Sequence, residues 1–161
     1  MQIRKASSDD FDTIWPIFHT IVAAGTTYPY APETSREQAR HIWMQAPRAT
    51  YLLEENGQTL GTYYIKPNQP GLGSHICNCG YMVAPEARGR GLGTRLCLHS
   101  LNTAAELGFS AMQFNLVVST NTVAVRLWKK LGFSHVGTVP KAFNHTEHGL
   151  VDAYIMYRQL V

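Results

Sequence analysis

Three glycines and two arginines lie within six residues of the segment VAPEARGRGLGTRL, residues 83–96. The arginines are Arg88 and Arg90, the glycines are Gly89, Gly91 and Gly93, and an apolar run with helical spacing follows. A glycine-rich turn that opens a helix exposes successive backbone N–H groups at the positive end of the helix dipole. The segment therefore predicts an anion-binding site, and phosphate is its natural ligand.

Two common phosphate-binding motifs do not fit this segment. No Lys-Ser or Lys-Thr pair follows the glycines, which disfavours the P-loop of ATP-binding proteins. A dinucleotide fingerprint requires an acidic residue about twenty positions further on, where this chain offers Gln113 and Asn115. By itself, the glycine cluster leaves open a flexible turn with solvated arginines.

Two asparagines lie inside predicted strands. Asn78 belongs to the segment HICNCGYMV, and Asn115 belongs to AMQFNLVV. Asn is a poor strand former, so each residue requires a polar partner in an otherwise apolar interior, and a bound ligand would supply one. The alternative is a bulge or an edge at which backbone or water satisfies the amide.

Periodicity, caps and turn residues predict the elements that must position these residues. The predicted order is strand 2–6, a helix from Ser8 or Asp9 to Gly25, a helix of about ten residues from Ser35, strands 50–55 and 59–66 joined by Asn56-Gly57, strand 75–83, helix 91–107, strand 111–118, helix 122–131, and strands 133–139 and 150–158. This order indicates an α/β sandwich with a mostly antiparallel sheet and one parallel strand–helix–strand crossover around the glycines.

Composition limits the classes of protein to which the chain can belong. Its 161 residues, 45% of them hydrophobic, fit one domain spanning 1–161 with a sizeable core. A formal charge of +3 is too mild for a dedicated nucleic-acid or membrane binder. The N-terminus lacks the apolar segment of a signal peptide, and no run of some 18 apolar residues occurs, so we expect a cytoplasmic protein. A homodimer remains open.

Cysteine and histidine chemistry is disfavoured. The three cysteines are an odd number, lack the ligand count of a zinc site, and have no evident base beside them in sequence. His145 and His148 have neither the i, i+4 spacing of helical metal ligands nor an evident third ligand, so we expect a solvated loop and no metal. His75 stands near the predicted site and is a weak candidate for a general base.

Two segments together resemble the GCN5-related N-acetyltransferase family. Arg88, Gly91 and Gly93 satisfy the pattern R/Q-x-x-G-x-G/A, and NTVAVRLWKKLGF, residues 121–133, is similar to the family's second segment. The resemblance implies a mixed, mostly antiparallel sheet of about seven strands flanked by about four helices, with a splayed parallel strand pair. It also implies acetyl-CoA as the cosubstrate and no metal.

The resemblance implies roles for individual residues. The amides from Gly89 through Thr94 would bind the pyrophosphate, assisted by Arg88 or Arg90. The strand ending at Met82 and Val83 would separate from the strand of Asn115, and pantetheine would lie in the gap. The N–H near Val83 would face the thioester carbonyl, where oxyanion charge develops. Asn121 would hold the pantetheine arm, or cap the following helix, or do both.

Trp128 departs from the family pattern, because many members carry a tyrosine there as the acid for the departing thiolate. Indole cannot lend a proton at neutral pH. A water molecule, Tyr154 or Tyr157 would then act as the acid in place of that tyrosine. Alternatively, no acid is needed because a thiolate with a pKa near 8.5 leaves readily, and we favour this second explanation. The alternative role for Trp128 is an apolar filler on the core side of its helix.

The segment YIKPNQPGLGSHICNCGYMV, with FNLVVSTN and RLWKKLGF, more closely resembles fungal-type N-acetyltransferases of proline analogues such as azetidine-2-carboxylate. This resemblance implies that Asn78 contacts an acceptor amino acid, while Asn115 and Asn121 hold the cofactor or the reacting thioester. Tyr28 and Tyr30 would roof the acceptor site, or merely pack on helix ends.

The predicted function is direct acetyl transfer from acetyl-CoA to the amine of a small molecule, such as a small or cyclic amino acid. The predicted catalytic residues are Asn78, Val83 and Asn115. Two alternatives remain: acetylation of a protein N-terminus or lysine, and a sensor that binds acetyl-CoA without catalysis.

Overall fold

Seven strands form one sheet in the order β1-β2-β3-β4-β5-β7-β6 in a computed structural model that describes residues 1–161. The elements are β1 (Gln2–Lys5), α1 (Phe11–Ala24), α2 (Arg36–Arg40), β2 (Ala49–Glu55), β3 (Gln58–Pro67), β4 (Ile76–Val83), α3 (Leu92–Glu106), β5 (Ala111–Val118), α4 (Thr122–Lys130), β6 (Ser134–His145) and β7 (Gly149–Gln159). The predicted element order and the mostly antiparallel α/β sheet are confirmed.

Local sequence explains where the first elements begin and end. The apolar residues of α1 recur at helical spacing and are buried, and Gly25, with a φ of 65°, ends the helix. Asn56 and Gly57 both have positive φ, as the turn between β2 and β3 requires. The second predicted helix has its ten residues, but α2 gives way to a π-helical turn at His41–Gln45.

The sheet is antiparallel except where β4 and β5 run parallel around α3. This parallel pairing is short, because only Ile76 with Ala111 and Cys77 with Met112 are matched. Beyond Cys77 the two strands diverge, and β5 pairs with β7 through an irregularity between Phe114 and Val117. We call the space between the diverging ends of β4 and β5 the fork.

Helices cover both faces of the sheet. On one face, Tyr81 of β4 contacts Ser100 of α3 and Trp128 of α4. On the other face, Tyr64 of β3 packs against Trp43, which in turn packs against Phe18 of α1. The fork therefore opens toward α3 and α4 on one side and toward α1 and the residues after it on the other.

One expected strand boundary needs correction. β6 continues to His145 and does not end at residue 139; its pairing with β7 is interrupted between Val139 and Phe143 and then resumes. Pro140 and Lys141, whose φ is 51°, produce the interruption that looks like a strand end in the sequence.

None of the helices combines the length and apolar composition needed to cross a membrane.

Candidate active site

The junction between β4 and α3 presents a row of free backbone donors. Gly89 and Gly91 have φ values of 78° and 74°, and the first helical bond runs from Arg95 N to Gly91 O, 3.2 Å. The N–H groups of residues 89–94 have no acceptor within the chain. Six consecutive free donors at a helix N-terminus form the anion site that the glycines predict.

The two arginines of this junction differ in their surroundings. Arg88 is exposed, and although its backbone N–H donates to the Pro85 carbonyl, its guanidinium makes no hydrogen bond or ion pair within the chain. The Arg90 guanidinium instead donates to Glu55 at 2.5 Å, which ties the junction to the end of β2. Arg88 is therefore the arginine whose charge is free for a ligand.

Helix α4 packs beside the N-terminus of α3. A Cβ on Gly93 would lie 3.3 Å from Leu127 Cδ2, so the glycine lets the two helices approach closely. Asn121 caps α4, because its Oδ1 accepts from Ala124 N at 3.3 Å, and its Nδ2 has no partner within the chain. The cap predicted as one of the roles of Asn121 is confirmed, and the amide donor stays free.

The backbone of β4 alternates between its two neighbours. Ala84 N donates to Leu60 O and Asn68 N donates to Ile76 O, so even-numbered residues of this stretch direct their backbone groups toward β3. The odd-numbered residues direct theirs toward β5. Past Cys77, where pairing with β5 has ceased, the N–H groups of Tyr81 and Val83 therefore face the fork.

Asn78 lies at the base of the fork and is 9% exposed. Its Oδ1 accepts from Tyr64 Oη at 3.1 Å, and its Nδ2 donates to the Gln113 carbonyl at 3.0 Å. If the parallel ladder continued in register, that carbonyl would accept from the Cys79 amide. The Asn78 side chain thus replaces the Cys79 amide as donor to the Gln113 carbonyl, at the point where the β4–β5 pairing stops. The second N–H of its amide group has no partner within the chain.

Tyr64 lies across β4 because Gly80 has no side chain. A Cβ on Gly80 would come within 2.6 Å of the Tyr64 ring. Sequence reasoning missed Tyr64 as a site residue, although a glycine inside a strand is a sign that another group approaches closely. Burial raises the pKa of the Tyr64 phenol well above its usual value, so it stays protonated and donates to Asn78.

The loop after α1 brings a second phenol to the fork. Tyr28 Oη donates to the Tyr81 carbonyl at 2.6 Å, and its ring stacks on Tyr30 at 5.8 Å between centroids. Burial raises the pKa of Tyr28 well above its usual value, so this hydroxyl is also a neutral donor. Tyr28, which the sequence predicted as a possible roof, reaches the backbone of β4 itself.

Asn115 differs from the expectation. The residue is exposed, and its Nδ2 donates to Asn68 Oδ1 at 2.7 Å while its Oδ1 accepts from Gln113 Nε2 at 3.0 Å. The premise that Asn115 is in an apolar interior was wrong, because the irregularity in β5 lies beside it. It stands on the β5 side of the fork.

Trp128 packs as an apolar side chain, as one of its predicted roles requires. It is 8% exposed, and its ring lies 4.8 Å from Phe114 and 5.1 Å from Tyr81. The two alternative acids lie in other surroundings: Tyr154 packs on His135, and Tyr157 donates to Gln159.

The histidine expectations change in two ways. His75 is exposed just before β4, about 26 Å along the strand from Val83 at 3.3 Å per residue, so it cannot act on a group bound there. His145 is 5% exposed and not solvated as expected. With Glu147 and His148 it forms a compact cluster, but its Nδ1 accepts from both backbone amides at 3.1 and 3.3 Å. In the neutral ring Nε2 then carries the proton, which disfavours a metal.

All three cysteines are buried and free. Burial raises the pKa of the Cys97 thiol to about 11 and raises that of Cys79 well above its usual value. The Cys79 and Cys97 thiols are therefore protonated near neutral pH, which disfavours them as nucleophiles.

Comparisons with known proteins agree with this geometry. The model of the Acetyltransferase (GNAT) family matches residues 13–133. N-acetyltransferase aca1 of Schizosaccharomyces pombe is 36% identical across 83% of this chain and 72% of that protein. The structure of a GCN5-related N-acetyltransferase from Kribbella flavida is 47% identical, with a TM-score of 0.92 over 98% of this chain and 96% of the other.

A more distant structure shows the shared fold alone. The yncA protein of Salmonella typhimurium, solved with its cofactor acetyl-CoA, is 23% identical, with a TM-score of 0.84 over 100% of this chain and 94% of the other. The family match spans most of the chain and includes both segments that carried the resemblance. The chain therefore belongs to the GCN5-related N-acetyltransferases, a family in which acetyl-CoA is the acetyl donor and no metal is required.

Proposed function

We propose that this acetyltransferase acts on the amine of a small or cyclic amino acid by direct attack within a ternary complex, in the cytoplasm. The observation that carries the proposal is the fork: free backbone donors face it from β4, and a polar cluster of Tyr28, Tyr64 and Asn78 lies at one side of it. Such a cluster of a few convergent polar groups can orient a small acceptor.

The cofactor would enter from the junction between β4 and α3. Its pyrophosphate would accept hydrogen bonds from the free N–H groups of Gly89 through Thr94, including Arg90, Gly91 and Gly93, while Arg88 adds a charge-assisted bond. Pantetheine would lie in the fork beside Met82 and Val83, with Asn115 on the opposite strand. The free Nδ2 of Asn121 would donate to the pantetheine arm.

The length of β4 limits where the thioester can lie. At about 3.3 Å per residue, Asn78 is roughly 16 Å from Val83 but about 10 Å from Tyr81. A small amino acid between two hydrogen-bonding partners spans the shorter distance and not the longer one. We therefore assign the thioester carbonyl to the Tyr81 N–H and the pantetheine amide to Val83, a shift of two residues from the expectation.

The reaction needs no covalent intermediate on the protein. The neutral amine attacks the thioester carbonyl, the Tyr81 N–H stabilises the oxyanion, the C–S bond breaks, and CoA leaves as a thiolate. The amine gives its proton to water. Trp128 supplies no proton, and a thiolate with a pKa near 8.5 leaves without one.

Asn78, Tyr28 and Tyr30 would surround the acceptor. The unused N–H of Asn78 can donate to an acceptor oxygen, and the Tyr28 hydroxyl, which donates to the Tyr81 carbonyl, keeps lone pairs for an amine N–H. The stacked rings of Tyr28 and Tyr30 would form an apolar wall for a small ring.

A panel of acceptors tests the proposal. Release of free CoA would be followed with azetidine-2-carboxylate, proline analogues, short amino acids, N-terminal peptides and lysine peptides. We expect kcat/KM to be highest for small or cyclic amino acids. A peptide acetylated far faster than every free amino acid would contradict the proposed acceptor class, and acetyl-CoA binding without turnover on any amine would indicate a sensor.

A further inference from the structure

Lys66 is the one charged side chain on β4 and β5, which form the fork, and on the neighbouring strand β3. β3 ends in the sequence YYIKP, while β4 and β5 contain no Lys, Arg, Asp, Glu or His. The five ion pairs of the chain involve other residues, namely Arg4, Arg36, Arg40 and Arg90 with their carboxylates. Lys66 thus carries a positive charge beside the fork without a counter-ion from the protein.

The position of Lys66 places this charge on the acceptor side of the fork. Lys66 is the cross-strand partner of Asn78, and directly opposed residues on one face have Cβ atoms about 5 Å apart. Its Nζ lies 5.2 Å from the centre of the Tyr64 ring, whose hydroxyl donates to Asn78. The lysine is half-buried, so its stem packs on the sheet and its ammonium is held close to the polar cluster.

We propose that Lys66 binds the carboxylate of the acceptor and so makes the enzyme select amino acids over amines that lack a carboxylate. This inference rests on the proposed function. A carboxylate has two oxygens, and two donors face it here: the Lys66 ammonium and the unused N–H of Asn78. The absence of acidic residues on β3, β4 and β5 leaves the ammonium free for such a ligand.

The same placement orients the reacting amine. A carboxylate held between Lys66 and Asn78 fixes one end of an α-amino acid, and the amine then points along β4 toward Tyr81, about 10 Å from Asn78. The ring or side chain of the acceptor is left to face Tyr28 and Tyr30. Lys66 is therefore a specificity-determining residue, and the amine attacks from a position that its carboxylate sets.

Matched pairs of acceptors test this role. Proline and prolinamide, and azetidine-2-carboxylate and its carboxamide, would be compared through the ratio of kcat/KM for the acid to kcat/KM for the amide, each corrected for its neutral amine fraction. We expect a ratio well above one for the wild-type enzyme. Lys66→Gln should lower the ratio by about tenfold to a hundredfold, the factor for losing one charge-assisted hydrogen bond.

Two further variants control for indirect effects. Lys66→Arg keeps the charge and should restore part of the ratio, whereas Lys5→Gln removes an exposed lysine on the far strand β1 and should leave the ratio at its wild-type value. A ratio unchanged in a folded Lys66→Gln enzyme, or lowered equally by Lys5→Gln, overturns the inference. Failure of the proposed function gives a different result, namely no acetylation of any amino acid by the wild-type enzyme.

Discussion

At the scale of single residues, the Asn78 carboxamide satisfies two neighbours at once, the Tyr64 hydroxyl and the Gln113 carbonyl. Asn78→Ala leaves both without this partner, so we expect the free energy of unfolding to fall by about 1–3 kcal/mol. Tyr64→Phe removes only one bond and should cost about 1 kcal/mol. Urea unfolding of both variants measures these losses.

The double variant makes the assignment specific. Asn78 and Tyr64 share one hydrogen bond, so each single variant removes it. The free energies of unfolding lost in Asn78→Ala and in Tyr64→Phe should therefore add up to about 0.5–1.5 kcal/mol more than the loss in the variant that carries both substitutions. Asn115→Ala is the matched control, since that amide is exposed, and it should change stability by less than about 0.5 kcal/mol. Strict additivity would show that the hydrogen bond between Asn78 and Tyr64 contributes nothing.

These two asparagines also show what local sequence can predict. Both stand in apolar strand segments and both amides have polar partners, but only Asn78 lies in the buried interior that the inference assumed. Burial could not be predicted, because Asn115 lies where β5 has separated from β4 and where its pairing with β7 is interrupted, and both features depend on residues far along the chain. The hydrogen bond from Tyr64 to Asn78 likewise could not be predicted without knowing the register in which β3 pairs with β4.

At the scale of elements, the turn into α3 depends on the left-handed backbone of Gly91. A β-branched residue is strained at its φ of 74°, although no atom lies within 4 Å of the Cβ position. Gly91→Val should turn the neighbouring N–H groups away from a bound pyrophosphate. We expect acetyl-CoA affinity to fall more than about tenfold, since each bond lost to a charged group costs about 1.5–3 kcal/mol. Titration calorimetry measures it.

Gly108→Val provides the matched control for backbone strain. Gly108 follows the other end of α3, has a φ of 85°, and also has no atom within 4 Å of its Cβ position. Both variants should lose similar stability, whereas only Gly91→Val should lose acetyl-CoA affinity. Equal acetyl-CoA affinities for the two folded variants would contradict the assignment of the pyrophosphate site to residues 89–94.

Helix caps and periodicity predicted the element order well because each signal lies within one element. Gly25 ends the first helix as expected, and Gly108 and Gly132 directly follow the predicted helices 91–107 and 122–131, with positive φ at all three glycines. The boundary of β6 was missed because its continuation past Pro140 is stabilised by pairing with β7 and not by its own sequence pattern. The π-helical turn at His41–Gln45 had no sequence signal that we recognised.

At the scale of the whole molecule, the distribution of ionisable groups favours direct transfer. The cysteines are buried, and burial raises the pKa of Cys97 to about 11. The strands of the fork carry no His, Asp or Glu, and the phenols at the polar cluster have pKa values raised by burial. Burial also raises the pKa of Cys79 on β4, so neither an ionised Cys79 nor a carboxylate or imidazole base is provided by these strands at neutral pH.

This distribution predicts how the rate responds to pH. The acceptor amine attacks only when it is neutral, so kcat/KM should rise about tenfold per pH unit until the pKa of the amine and then level off. Two acceptors with different amine pKa values should therefore give profiles displaced by the difference between those values. The profiles would be measured at saturating acetyl-CoA by continuous detection of the released thiol. A break near pH 6.5 that both acceptors share would indicate a histidine base on the enzyme and contradict unassisted attack.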